Sequence, residues 1–314
     1  MQKLTIRRLN SQHGLVRELM GDTIVHSFVP IDQVECVADM ATGTGCVQVY
    51  YITASFKERK SNDEIRVWLR EVASILVSKN PNPTRPYYLY GTDISGAQFQ
   101  PFDSGKQVEF RLEEHNCLQP FPVEHHGRYD FVHMRFLAGA LKTHEFAAAV
   151  NNISTLLSTI SPSSPSPEYH DDNRSEPGGY LQWDEGDISS FETTADPEPA
   201  IVTEIIDAMT TMLTQIGLCP TAPAKVEEEA NHAGFVQVRR ERYDTRDKPH
   251  LKDIACRWFV QSARSTIFQS LVKSGRVKDE AEARERTTVL LEEFERSGAM
   301  PLFNVQVIVG RKPV

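Results

Sequence analysis

The feature that most restricts this chain is an apolar run ending on an acid and entering a glycine turn, followed by a long alternation of strand and helix. VECVADM (34–40) closes on Asp39 and runs into ATGTG (41–45). An apolar strand leading into a glycine turn is how a nucleotide-binding parallel sheet begins. Six further runs predict strands: YYLYGTDIS (87–95), KQVEFRLEE (106–114), RYDFVHMRF (128–136), GGYLQWDEGD (178–187), AGFVQVRRERY (233–243) and PLFNVQVIVG (301–310). Apolar spacing predicts helices over 67–79, 144–160, 199–217, 251–273 and 278–297. Leu4, Leu9, Leu15 and Leu19 also stand at helical spacing, so residues 4–28 predict one or two helices outside the sheet. Such alternation belongs to a parallel sheet with helices on both faces. Ligands of these sheets bind at the carboxyl ends of the strands, and Asp39, Asp93, Asn116 and His133 all fall at or just past such ends.

Bulk properties narrow the partners. A chain of 314 residues suits one large domain, or one domain with appendages. The formal charge of -9 repels phosphate backbones, which argues against a nucleic-acid substrate. No stretch approaches the ~20 apolar residues of a membrane-spanning helix. The basic N-terminal stretch is not followed by an apolar core of signal-peptide length, so secretion is not indicated. Cys36, Cys46, Cys117, Cys219 and Cys256 are scattered and lack metal spacing, as expected of free thiols in a reducing cytoplasm. His125 and His126 also lack ligand spacing, so no metal is expected.

Five motifs occur in order: D-M-A-T-G-T-G (39–45), G-T-D-I-S (91–95), H-N-C-L-Q-P-F-P (115–122), Y-D-F-V-H-M-R-F-L (129–137) and G-G-Y-L-Q-W-D-E (178–185). Together they resemble the seven-stranded class I S-adenosylmethionine-dependent methyltransferases. More narrowly, they resemble the small-molecule methyltransferases of fungal secondary metabolism, a group that includes gliotoxin-type thiol methyltransferases and regulator-like proteins. RRLNSQH (7–13) is similar to that group's leading helix. The resemblance implies an α/β fold, a Rossmann-like three-layer sandwich whose seven-stranded, mostly parallel sheet ends in an antiparallel strand, with N-terminal helices added. It implies S-adenosyl-L-methionine as cofactor and methyl transfer to an O, S or N nucleophile of a small molecule. A pericyclase-like step with bound cofactor, or a regulatory role without turnover, are the alternatives that the same resemblance leaves open.

The resemblance also assigns positions. Asp39, Ala41, Gly43 and Gly45 would lie beside the methionine moiety, with Ala41 standing where many relatives have the first glycine. Asp93 would accept from the ribose hydroxyls, with Ile94 beside it, and Asn116 and Cys117 would lie near the adenine. His133, Met134 and Arg135 would follow the fourth strand, close to the sulfonium and the substrate. A dinucleotide fits worse, because G-x-G-x-x-G is absent and Asp93 lies far beyond the ~20 residues expected to the next acid.

Two segments depart from the pattern. Residues 46–66 separate the glycine turn from the helix it should enter and read as an insertion. Residues 161–177, rich in Ser, Pro and Asp, read as a flexible loop. The expected organisation is a helical cap over 1–30 and a methyltransferase domain over 31–314.

His133 is the candidate base or positioning residue, against a histidine held by backbone at a strand end. Arg135 is a candidate for an acidic substrate group or for a structural salt bridge, and Trp183 for a pocket wall or for core. Asp184, Glu185 and Asp187 read as a solvated acidic loop, or else as a site that steers a cation or binds a metal. His13 reads as a lid on the cofactor or as a surface histidine.

Overall fold

The computed structural model describes residues 13–41, 68–99, 106–159, 178–273 and 275–313. Gly43, Gly45, the 46–66 segment and the 161–177 loop lie outside the described residues.

Seven strands form one sheet: β1 Cys36–Met40, β2 Tyr87–Asp93, β3 Val108–Glu114, β4 Phe131–Arg135, β5 Tyr180–Glu185, β7 Val236–Asp244 and β9 Asn304–Arg311. Their order is β3-β2-β1-β4-β5-β9-β7. All pairings from β3 to β5 are parallel, and β9 runs antiparallel to both β5 and β7. The helices are α1 (residues 13–19), α2 Trp68–Lys79, α3 Phe146–Leu156, α4 Ala200–Gln215, α5 Ala222–His232, α6 Lys252–Lys273 and α7 Glu280–Ser297. This is the Rossmann-like, mostly parallel arrangement that the sequence predicts, with the antiparallel strand in its expected place. Among the described residues, no helix is long and apolar enough to cross a membrane.

The two-residue period of a strand sorts side chains between the faces of the sheet. Ala38, Met40, Tyr88, Tyr90, Val132, Met134, Leu181 and Trp183 share one core with α3 and α5. Val37, Leu89 and Phe131 share the opposite core with Trp68, Leu69, Val72 and Leu76 of α2. Leu15, Val16 and Leu19 of α1 pack on β9 and the start of α6. A further apolar core joins α4, α6 and α7.

The paired glycines before β5 have a packing reason. A Cβ on Gly178 would lie 2.2 Å from the Lys312 carbonyl oxygen, and one on Gly179 would lie 2.7 Å from that of Tyr129. Lys312 then reaches back to the end of α3, donating from Nζ to the carbonyls of Ser154 (2.7 Å) and Leu157 (3.0 Å). A lysine there satisfies carbonyls that a helix end leaves unpaired.

Two elements were not expected. Helix α5 buries Ala222, Pro223, Val226 and Ala230, so alanines stand where larger apolar residues would have marked its inner face. The ribbon of β6 (Glu192–Thr193) and β8 (Pro301–Leu302) is two residues deep, too short for any periodicity.

Candidate functional site

The strand order runs outward in opposite directions from β1 and from β4, so the crevice over their carboxyl ends is where ligands of such sheets bind. Both strands leave the sheet through a left-handed residue that is not glycine: Ala41, at φ 62°, follows β1, and Phe136, at φ 55°, follows β4. Among the other described non-glycine residues only Asp22 and Gln237 have a positive φ. Side chains resist it because Cβ crowds the following carbonyl, and such strain gathers at functional sites. At Ala41 the strain amounts to ~1–2 kcal/mol, against ~0.4–1 kcal/mol that glycine would lose by freeing the unfolded chain. Ala41→Gly is therefore expected to stabilise the protein by up to about 1 kcal/mol, seen as a higher urea midpoint with an unchanged slope.

A polar stripe crosses the centre of the sheet on the α2 face. Asp39 and His133 are register partners on β1 and β4, and His133 and Gln182 on β4 and β5. His133, 1% exposed, sits with Nδ1 2.7 Å from Asp39 Oδ1 and Nε2 3.1 Å from Asp184 Oδ2. Its ring lies 3.9 Å from that of Trp68, tilted by only 4°. Burial alone would lower its pKa; the charge and hydrogen bond of Asp184, followed by those of Asp39, outweigh this and raise it. An imidazole between two carboxylates donates from both nitrogens and is the cation, which also favours stacking on an indole face. Gln182 extends the stripe, donating to Asp184 Oδ1 (2.8 Å) and to the Ile24 carbonyl (3.1 Å), while its own oxygen accepts from the His26 amide (2.9 Å).

Arg135 joins this stripe to α1 and α2. Its Nη1 donates to Nδ1 of His13 (3.1 Å), which leaves the His13 proton on Nε2, directed at Glu71 Oε2 (2.7 Å). Arg17 reaches the other Glu71 oxygen at 3.2 Å. Burial first, opposed by the Glu71 bond and aided by the Arg135 charge, lowers the His13 pKa and keeps it neutral.

The ends of β2 and β3 form a second group. Asp93 is the last residue of β2 and 3% exposed; its Oδ1 accepts from the Ser95 amide (3.1 Å), and its carbonyl accepts from His115 N (2.8 Å). The next residue, Ile94, is 69% exposed. Beyond β3, Asn116 Oδ1 accepts from Leu118 N (3.0 Å), and Asn152 Nδ2 donates to the Cys117 carbonyl (2.9 Å). Burial pushes the Cys117 thiol up to about 11, so it is protonated at neutral pH.

Glu185, the last residue of β5, is buried against the turn that follows β4. Its Oε2 accepts from the amides of Leu137 (2.7 Å) and Ala138 (3.0 Å) and faces Trp183 Nε1 at 3.4 Å; its Oε1 accepts from Gly186 N (3.1 Å). Burial pushes its carboxyl up to about 7, the donors offsetting only part of the desolvation. Asp184 and Glu185 thus correct the expectation of a solvated acidic loop, because consecutive strand residues project into opposite buried faces. Asp187 is only partly exposed, and Gln306 Nε2 donates to it (3.0 Å).

No family model matches this chain. Methyltransferase grgD from Penicillium sp is 26% identical over 310 residues, covering 97% of this chain and 92% of that protein. This match spans nearly the whole of both chains. The chain is similar to methyltransferases along almost its whole length. N-methyltransferase tcpN from Claviceps purpurea (strain 20.1) is 22% identical over 234 residues, covering 74% of this chain and 66% of tcpN. A solved loganic acid methyltransferase with SAH aligns over 99% of the chain and 94% of its own, at 9% identity and a TM-score of 0.47.

The fold brings the residues singled out in the sequence together unevenly. Asp39, His133 and Arg135 join one buried stripe, with Ala41 directly beyond it, while Asp93, Ile94, Asn116 and Cys117 line the neighbouring strand ends. His133, Met134 and Arg135 lie within β4 rather than after it, because the ladder with β5 continues through Arg135. Met134 and Trp183 are fully buried in the α3 and α5 core, Trp183 against Phe146 with ring centroids 5.8 Å apart; Trp183 is core and no pocket wall. His13 is buried, not a surface residue. Sequence reasoning missed Trp68, Glu71 and Gln182. Trp68 and Glu71 opened a helix that read only as amphipathic, and Gln182 was an inconspicuous polar residue within a strand that alternates.

Proposed function

We propose that this protein transfers the methyl group of S-adenosyl-L-methionine to an oxygen, sulfur or nitrogen nucleophile of a small molecule, a secondary metabolite of the kind made by fungi. The observation that carries this reading is the group at the ends of β1 and β2. A carboxylate held by Ser95 and an exposed isoleucine beside it adjoin the crevice between two left-handed strand exits. This donor set fits the cofactor. A carboxylate suits a pair of vicinal hydroxyls, and an exposed aliphatic side chain suits the face of a base. Fungal relatives named as methyltransferases, one an N-methyltransferase, support the same reading.

The bound cofactor supplies a methyl carbon activated by a sulfonium. The protein's part is alignment and exclusion of water. Asp93 would hold the ribose, and Ile94, Asn116 and Cys117 would border the adenine. His133 offers no lone pair, so its part is positioning: it locks Asp39 under the β1 exit and Asp184 beside the β4 exit. Arg135 pins α1 over the same end of the sheet.

Titration calorimetry with S-adenosylhomocysteine, followed by incubation of methyl-labelled cofactor with thiols, phenols and amines, tests the proposal. Micromolar binding and labelled product are expected. Absence of binding by a folded sample rejects the cofactor reading, and binding without product from any acceptor rejects methyl transfer in favour of another use of the fold.

A further inference from the structure

The turn after β4 is held from one side by one carboxylate. Phe136 continues the ladder by donating its amide to the Asp184 carbonyl (3.0 Å), then enters its left-handed conformation. The next two amides, of Leu137 and Ala138, both donate to Oε2 of Glu185. The turn then closes on itself, with the amides of Ala140 (2.8 Å) and Leu141 (2.9 Å) donating to the Leu137 carbonyl. Two consecutive amides of an irregular segment are thus paired with a buried side chain instead of with backbone. Buried amides left unpaired are costly, so the turn depends on that acceptor. Phe136 itself packs among α1, the start of α6 and β9, so movement of the turn would reach that layer as well.

We infer that Glu185 is a positioning residue for the acceptor side of the reaction: it fixes the turn at residues 136–138, which forms the wall of the crevice facing the cofactor side. The inference rests on the methyl-transfer reading for what the turn does, but not for what holds it. Glu185 lies on the α3 and α5 side, away from the polar stripe, and it bonds to none of the residues assigned to the cofactor. Its loss is therefore expected to affect the acceptor step while leaving cofactor affinity in place. A displacement of about 1 Å in such a wall is enough to cost on the order of a hundredfold in rate.

The test compares the full-length wild type with Glu185→Gln and Glu185→Ala. Glutamine keeps one carbonyl oxygen for Leu137 and Ala138; alanine keeps none. Three measurements are made: S-adenosylhomocysteine affinity, amide exchange at Leu137 and Ala138, and transfer of labelled methyl to an aryl thiol, a catechol and a primary amine. In Glu185→Ala, exchange at both amides is expected to rise at least tenfold. Cofactor affinity should stay within threefold, and kcat should fall about a hundredfold on any acceptor used. Glu185→Gln should recover to within about tenfold of wild-type kcat. Unchanged exchange at both amides in folded Glu185→Ala overturns the inference; if that variant does not fold, a Glu185→Gln sample whose kcat falls more than tenfold while exchange at both amides stays at the wild-type rate overturns it. If none of the three acceptors is methylated, the exchange result alone decides. A wild type that does not bind S-adenosylhomocysteine sinks the transferase reading. Normal cofactor binding with a kcat indifferent to Glu185→Ala sinks this inference alone.

Discussion

His133→Ala is expected to lower the unfolding free energy by about 3–5 kcal/mol, the scale of breaking a buried ion pair from one side. Asp39 and Asp184 would be left facing each other across a cavity, having lost the donors at 2.7 and 3.1 Å that now pair them. The ring stacked on Trp68 would go as well. A double change, Asp39→Asn with His133→Ala, should cost less than the sum of its parts, since it removes a charge that the first change strands. The pH dependence has a definite sign. The folded pKa of His133 is raised above the ~6.5 of an unfolded histidine, so its stabilisation is fully present below that value and is lost as pH rises through the folded pKa. Urea unfolding of wild type and His133→Ala between pH 6 and 9 should show the widest gap at pH 6. A gap that stays constant over that range would contradict a charged imidazole.

Asp93→Ala is expected to weaken S-adenosylhomocysteine binding about a hundredfold, or roughly 2.7 kcal/mol. Two hydrogen bonds from ribose hydroxyls to a carboxylate have that magnitude together, since charge-assisted bonds exceed neutral ones. Within the protein, the change loses at least the bond to Ser95 N, which is worth about 1 kcal/mol. Asp93→Asn keeps the shape and one acceptor and should bind between the two. Calorimetry reads affinity, and a urea titration confirms that each variant is folded. An Asp93→Ala protein that binds within threefold of wild type would remove the main support for the proposed cofactor site.

The strands and most helices were legible because each has a strong period and a clear stop. Tyr87–Asp93 lies within the expected 87–95, and Trp68–Lys79 within 67–79. Positions at strand ends were also legible, because an acid such as Asp93 stands out after an apolar run. Burial of polar side chains was not. Asp184 and Glu185 look alike in the sequence, yet the pleat sends one to His133 and the other to the turn after β4. His13 gains its meaning only from Arg135 and Glu71, at separations of 122 and 58 residues that no local pattern can show. Ala41 looked like a mild change from glycine; the cost lies in a backbone angle that its residue type does not reveal.

The place of β9 in the sheet bears on how the chain is made. Strand β9 lies between β5 and β7, yet it emerges from the ribosome after both, with α6 and α7 synthesised in between. Until then β5 and β7 each present an open edge to the surroundings, and open edges recruit other chains. Nascent copies are thus most prone to stick to one another in the interval between the synthesis of β7 and the arrival of β9.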